Sequence, residues 1–432
     1  MSNVNAAAPD GAAILQIIQA SKTAAASGRS TEADQLLARA AQLAPMHPAV
    51  LNELGLRMMQ RGEAAKAREL FHRATQADPS HPSLWSNLAS SLHALGLAQE
   101  ELEAVERALS LDPRHLASLL QKGALIEARG DARNAARAYR NALATLAAGA
   151  EPPTAAAALA RAREVVRSDE DALAAAIEQR LAGVRALHGG GTYRRVDQCV
   201  AHLAGKRRRF NPEPTFMYFP EIPAIEFFER GEFPWLDAVE AATEDIRDEL
   251  TSVLIADRAG LEPYIAYPDG VPIDQWKELN KSRRWSAYFL WNQGVAQPAH
   301  LARCPRTAQA LAGAPQCDVA GRGPTVFFSI LDARTTIPAH SGVTNTRLTV
   351  HLPLIVPPDC GFRVGNETRE WIPGKAWVFD DTIEHEAWNR SDSPRAVLIF
   401  DIWNPFLSGA ERDMVRAATE AVASHYQGDP VP

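Results

Sequence analysis

No stretch of this 432-residue chain is apolar for the ~20 residues that a bilayer-spanning helix needs. The first ten residues, Met1-Ser-Asn-Val-Asn-Ala-Ala-Ala-Pro-Asp10, carry no basic segment leading into an apolar one, which excludes an ordinary secretory leader there. Cysteine is scarce. The four present, Cys199, Cys304, Cys317 and Cys360, never approach CxxC spacing, so neither a zinc ribbon nor a disulfide framework is indicated. Together these absences predict a soluble protein of a reducing compartment, placed in the cytoplasm. Basic excess is missing too: the net charge is −7, which offers nothing to a nucleic-acid partner. The one basic run, Lys206-Arg207-Arg208-Arg209, is read as a solvated loop. With 46% hydrophobic and 22% charged residues, the chain is of globular composition, and its length calls for two or three domains.

What is present first is a 34-residue period. Glycine recurs at Gly28, Gly62, Gly96 and Gly130, and alanine at Ala40, Ala74, Ala108 and Ala142. Bulky residues recur at Leu37, Phe71, Val105 and Tyr139, and proline at Pro45, Pro79 and Pro113. The period and its signature resemble tetratricopeptide repeats, which implies an all-α solenoid of about four helix pairs over residues 12–150. Glycine suits the left-handed end of a first helix, alanine a tight crossing, and proline the turn between repeats. Each pair leaves an apolar face that only a neighbour covers. Residues 154–187 read as a further helix capping the array, and Gly189-Gly190-Gly191 as a flexible junction, so that 151–194 joins the two halves. Such an array serves either as a concave surface for a peptide partner or as a scaffold.

From about residue 195 to 432 the composition changes. Eight of nine tryptophans lie here, and β-branched runs replace alanine-rich helix. Strands are expected at Thr325–Leu331, Arg347–Val356, Ala376–Asp380 and Ala396–Trp403, with helical spacing before Trp285. Short antiparallel strands with packing helices suggest a double-stranded β-helix, the cupin-like jelly roll. Three residues stand out against this pattern: His340 and His385, 45 residues apart, and Arg395 ten further on. Two imidazoles in strand-like sequence suit a metal held within one barrel, and a nearby guanidinium suits a carboxylate. A facial triad would place a carboxylate two residues after the first histidine, where this chain has Gly342. A lone histidine such as His351 is ordinarily a hydrogen-bonded core residue, and His47 and His300 read as surface residues without partners. Arg395 could equally sit in a structural ion pair with Asp401 or Glu384, and Asp380 could simply cap a strand end.

The segments Pro338-Ala-His340-Ser-Gly342-Val-Thr-Asn-Thr-Arg347-Leu-Thr-Val-His351, Phe379-Asp-Asp-Thr-Ile-Glu-His385 and Asp401-Ile-Trp403-Asn-Pro405 resemble the aspartyl/asparaginyl β-hydroxylases. The resemblance implies an Fe(II)- and 2-oxoglutarate-dependent dioxygenase that consumes O2 and hydroxylates the β-carbon of Asp or Asn in a peptide or protein. In that family two histidines alone hold the iron and glycine stands at the carboxylate position. It therefore implies His340 and His385 as metal ligands and Asp381 as the group that orients a ligated water. It assigns Ser329 and Arg395 to the distal carboxylate of 2-oxoglutarate, His351 to the co-substrate near the metal, and Trp285 to the pocket wall. Two departures stand out. Thr349 replaces an arginine expected two residues after Arg347, and the loop Arg303–Thr307 lacks the cysteine pair of animal members. Related hydroxylases of acyl chains or small molecules, and a repeat scaffold with a non-catalytic oxygenase domain, remain alternatives.

Overall fold

A computed structural model describes residues 11–146, 151–189 and 193–426. The first ten residues, and Gly190 and Gly191 of the expected junction, lie outside the described residues. The chain divides into two compact units, Met1–Lys206 and Arg207–Pro432.

The first unit is helical. Four antiparallel pairs run Gly11–Ala26 with Ser30–Leu43, Pro48–Gln60 with Ala64–Ala77, Pro82–Ala94 with Ala98–Leu111, and Leu116–Ala128 with Ala132–Leu143. The periodic glycines follow the first helix of each pair with φ between 72° and 80°. The next residue's N–H closes back onto the helix, as in Glu63 N to Met58 O at 2.9 Å, so the glycine is needed for its conformation. Ala40, Ala74, Ala108 and Ala142 are wholly buried, as are Phe71 and Val105. A side chain at Gly55 would run into the ring of Phe71, and one at Gly123 into that of Tyr139. Large thus faces small in the second and fourth pairs, and Val105 shares a buried cluster with Ala89 in the third. The capping helix is Ala156–Leu187, and Leu159, Ala162, Val165 and Val166 seal the last pair. The helix Arg194–Leu203 belongs to this unit.

The second unit is β-rich. Its strands are β1 (Glu262–Pro263), β2 (Trp285–Asn292), β3 (Val295–Ala296), β4 (Val326–Leu331), β5 (Thr335–His340), β6 (Arg347–Ile355), β7 (Cys360–Val364), β8 (Glu367–Arg369), β9 (Trp377–Phe379), β10 (His385–Asn389) and β11 (Arg395–Trp403). A seven-stranded sheet runs β1-β2-β4-β11-β6-β9, with β3 beside β2, and a four-stranded sheet runs β5-β10-β7-β8. All the strand pairs in both are antiparallel. The jelly-roll expectation is met only coarsely, because neither sheet closes on itself.

Alternation sorts the larger sheet's side chains. Phe328, Leu348, Val350, Leu352, Leu398 and Phe400 pack with Leu236, Ile246, Leu250 and Val253 of the helices Leu236–Ala241 and Thr243–Ala256. The opposite parity sends Trp285, Leu331, Val397, Trp377 and Phe379 against Ile337, Phe362, Val364 and Ala387 of the smaller sheet. Ser329, His351 and Arg395, singled out from sequence, share this second parity. Burying them between two sheets creates the site.

No helix among the described residues is long and apolar enough to cross a membrane. All four cysteines are free.

Candidate active site

Cross-strand register brings the two histidines together. His385 of β10 is the direct partner of His340 on β5, and their ring centroids lie 4.1 Å apart. Each ring is held the same way. His340 Nδ1 donates to the Pro338 carbonyl at 2.8 Å, and His385 Nδ1 to the Ile383 carbonyl at 3.1 Å. A carbonyl oxygen only accepts, so both protons sit on Nδ1 and both Nε2 atoms keep a lone pair. Burial pushes His340 down to about 3, with His385 adding to the effect, and burial lowers His385 to about 4. The pair is neutral at physiological pH, the form in which imidazole binds a metal.

Both histidines line a cavity of about 200 Å³ between the sheets. So do Trp285, Ser329, His351, Asp381 and Arg395, so all the candidate residues meet at one place. Arg395 is 1% exposed, yet it makes neither ion pair open to it on sequence grounds. Asp401 binds Arg347 at 2.6 Å, and Glu384 binds Arg363 at 2.9 Å and Arg208 at 3.0 Å. Nε and Nη1 of Arg395 have no hydrogen-bond partner among the described residues, and the guanidinium stacks over Trp371 at 4.6 Å. Burial pushes its pKa down to about 10. A buried cation without a counter-charge is costly unless an anion joins it. Trp285 Nε1 donates to Ser329 Oγ at 3.1 Å, which leaves the serine hydroxyl hydrogen to serve as a donor. His351 is buried against Phe362 and Phe379, its Nδ1 has no partner among the described residues, and burial followed by Arg395 holds it well below the usual imidazole range.

Gly342 is where the absent triad carboxylate would start. A side chain built there would overlap the Asp381 carboxylate, so Asp381 fills in space what position 342 lacks in sequence. The two backbones are joined by Gly342 N to Asp381 O at 2.7 Å. Burial raises the Asp381 pKa, while Arg347 and Thr349 act to keep it ionised. Asp380 turns away from this role: its Oδ1 accepts from Thr382 N and Oγ1, as a turn cap does. No group of three or more His, Cys, Asp or Glu side chains among the described residues is arranged to hold a metal.

The structure also places residues that sequence reasoning passed over. Arg347 and Asp401 form an ion pair in the cavity wall, and Trp276 sets its ring 5.0 Å from His340. Period-two parity with His351 and Arg395 would have pointed to the first two, whereas Trp276 ends a single 3-10 turn, Asp274–Trp276, too short for a pattern to read. The surface reading of His300 is corrected. It is half-buried, stacks on Tyr288 at 3.9 Å and donates to the Phe289 carbonyl at 2.7 Å. His47 caps the helix Pro48–Gln60 by accepting from Ala49 N. The basic run is spent on ion pairs, Lys206 with Asp171, Arg207 with Glu226 and Arg208 with Glu384.

Residues 240–405, which hold the whole cavity wall, match the family model described as aspartyl/asparaginyl beta-hydroxylase. The second unit therefore carries a region similar to that family. Residues 18–82 and 57–115 match a tetratricopeptide repeat, so repeats of that kind precede the β-hydroxylase-like domain. That domain is similar to the human aspartyl/asparaginyl beta-hydroxylase, 35% identical over 33% of this chain and 19% of that protein. It is also similar to an ornithine lipid ester-linked acyl 2-hydroxylase of Rhizobium tropici, 34% identical over 43% of this chain and 62% of that protein. The human aspartate beta-hydroxylase domain-containing protein 2 is 30% identical over 46% of this chain and 53% of its own length. The chain thus spans less than two thirds of each of these relatives.

Proposed function

We propose that the protein is an Fe(II)- and 2-oxoglutarate-dependent dioxygenase that hydroxylates an Asp or Asn β-carbon in a peptide or protein. The observation that carries this reading is one cavity lined by a neutral histidine pair and by a buried, unpaired arginine. The residues fit the implied groups. His340 and His385 each offer an Nε2 lone pair, and Arg395 with the Ser329 hydroxyl offers a cation and a donor to a carboxylate. Bound iron, with 2-oxoglutarate and O2, would supply the oxidising power that inserts oxygen into an unactivated C–H bond while succinate and CO2 leave.

The chain's own part is positioning. The backbone carbonyls of Pro338 and Ile383 fix both imidazole tautomers, and Asp381 offers a carboxylate beside the pair to orient a water. Trp285 holds the Ser329 hydroxyl, and Trp371 supports the flat face of Arg395. The aromatic and aliphatic walls, Phe327, Phe362, Phe379, Ile337 and Ile399, exclude bulk water.

A second reading, hydroxylation of an acyl chain, draws on those apolar walls and on the Rhizobium relative. The double-stranded β-helix is the form in which we read the two sheets, and the repeats are read as the surface that receives the peptide partner. The test is succinate formation by the full chain with Fe(II) and 2-oxoglutarate, with peptide pools or fatty-acyl lipids added. Product heavier by one oxygen from a peptide pool supports the first reading, and from lipid alone the second. A domain that binds no 2-oxoglutarate would be a non-catalytic scaffold.

A further inference from the structure

The charged side chains lining the cavity, among the described residues, are two arginines and two aspartates: Arg347, Arg395, Asp381 and Asp401. They are not evenly committed. Arg395 is the cation without a carboxylate. Arg347 is charge-paired with Asp401, Nη1 to Oδ2 at 2.6 Å, and the same Nη1 donates to the Arg322 carbonyl at 3.0 Å, while its Nε has no hydrogen-bond partner among the described residues. Thr325 N donates to both oxygens of Asp401, to Oδ1 at 3.3 Å and Oδ2 at 3.2 Å, so the pair is anchored at Arg322 and at Thr325. Arg347 also acts on the Asp381 carboxylate, so one cation serves two anions. Thr349, cross-strand partner of Asp401, adds no charge where the family pattern has arginine.

Resting on the oxygenase reading of the same cavity, we propose that Asp401 is its specificity-determining residue: by neutralising Arg347 it leaves no uncompensated positive charge for an acidic substrate group, so the site takes an uncharged side chain, asparagine rather than aspartate. The balance of charge gives the reason. A divalent metal with the keto-acid end of the co-substrate leaves one positive charge beside Asp381, Arg347 and Asp401, and the four sum to zero. The distal carboxylate and Arg395 cancel separately. An asparagine side chain keeps that neutrality, whereas an aspartate brings a buried negative charge with no partner. Its carboxamide also donates hydrogen bonds, which suits a wall holding two carboxylates.

The experiment titrates two small probes, N-acetyl-asparagine amide and N-acetyl-aspartate amide, into the full chain carrying Zn(II) and saturating 2-oxoglutarate. Binding is read by calorimetry, so no turnover is needed. Tighter binding of the asparagine probe, by about tenfold or more, is expected. Asp401→Asn should collapse or reverse the ratio by releasing Arg347. Should that variant fold poorly, Thr349→Arg places a new cation in the same wall without touching the Asp401 bonds, and it should move the ratio the same way. Equal or tighter binding of the aspartate probe, no binding of either, or a ratio indifferent to both variants overturns the assignment. 2-Oxoglutarate binding indifferent to Arg395→Met overturns the oxygenase reading itself, and a dependence on Arg395 with no probe preference overturns the specificity assignment alone.

Discussion

The Asp381 carboxylate occupies the volume that a side chain on Gly342 would fill. Position 342 is glycine for want of room, because the carboxylate arrives from another strand connection. Gly342→Ala should therefore displace Asp381 and leave the two histidines in place. Succinate formation should fall about 10- to 100-fold, the usual cost of disturbing a group that orients a metal's surroundings. Thermal melting and steady-state turnover of the purified variant check it, and unchanged turnover would separate Asp381 from the chemistry.

His340→Ala and His385→Ala each remove half of the proposed donor pair. Iron binding, followed by calorimetry, should be lost in both, together with turnover. Both side chains sit at strand ends and neither carries an ion pair, so the circular dichroism spectrum should persist. Full activity in either variant would misplace the metal.

Arg395→Met separates a binding role from a structural one. A structural ion pair broken on one side costs about 3–5 kcal/mol, but Arg395 has no carboxylate partner, so the melting temperature of the variant should hold or rise. The 2-oxoglutarate requirement should meanwhile increase by about 1.5–3 kcal/mol, the worth of a charged hydrogen bond. A large loss of stability with an unchanged co-substrate requirement would reverse the assignment.

Asp380 gives a pH signature. Burial, with Asp381 adding to it, raises its carboxyl to about 6 against the Thr382 hydrogen bonds. A raised carboxyl pKa means the folded state holds the proton more tightly, so this contribution is full below about pH 4 and lost as pH rises through about 6. Asp380→Asn should flatten that limb of a stability-against-pH curve measured by urea unfolding. An unaltered slope would assign it to another group.

In the repeats, Gly62→Ala forces a side chain into φ 76° and should cost about 1 kcal/mol or more. Ala74→Leu overfills a wholly buried crossing and should cost about 1–3 kcal/mol. Chemical denaturation of the full chain reads both, and a neutral Ala74→Leu would mean that the crossing is looser than its burial indicates.

The solenoid was legible in the sequence because its contacts are local: each glycine, alanine and bulky residue packs within its own repeat or the next, so periodicity alone encodes the packing. Four strands of the larger sheet were legible because apolar, β-prone residues mark them. Strands β5, β7 and β10 were not, because proline, glycine or charge interrupts each and they take their shape from neighbours.

The sequence by itself determined which chemistry-bearing residues the chain owns, their parity along each strand, and that a carboxylate is missing beside the first histidine. Only the tertiary structure decided how they are used. Register set His340 against His385, the pairing of Arg347 with Asp401 left Arg395 as the cavity's free cation, and packing put Asp381 into the gap at Gly342. The physical reason is that charge neutralisation and van der Waals exclusion depend on distance through space, and residues 39 to 54 apart in the chain acquire that distance only when strands pair and loops pack.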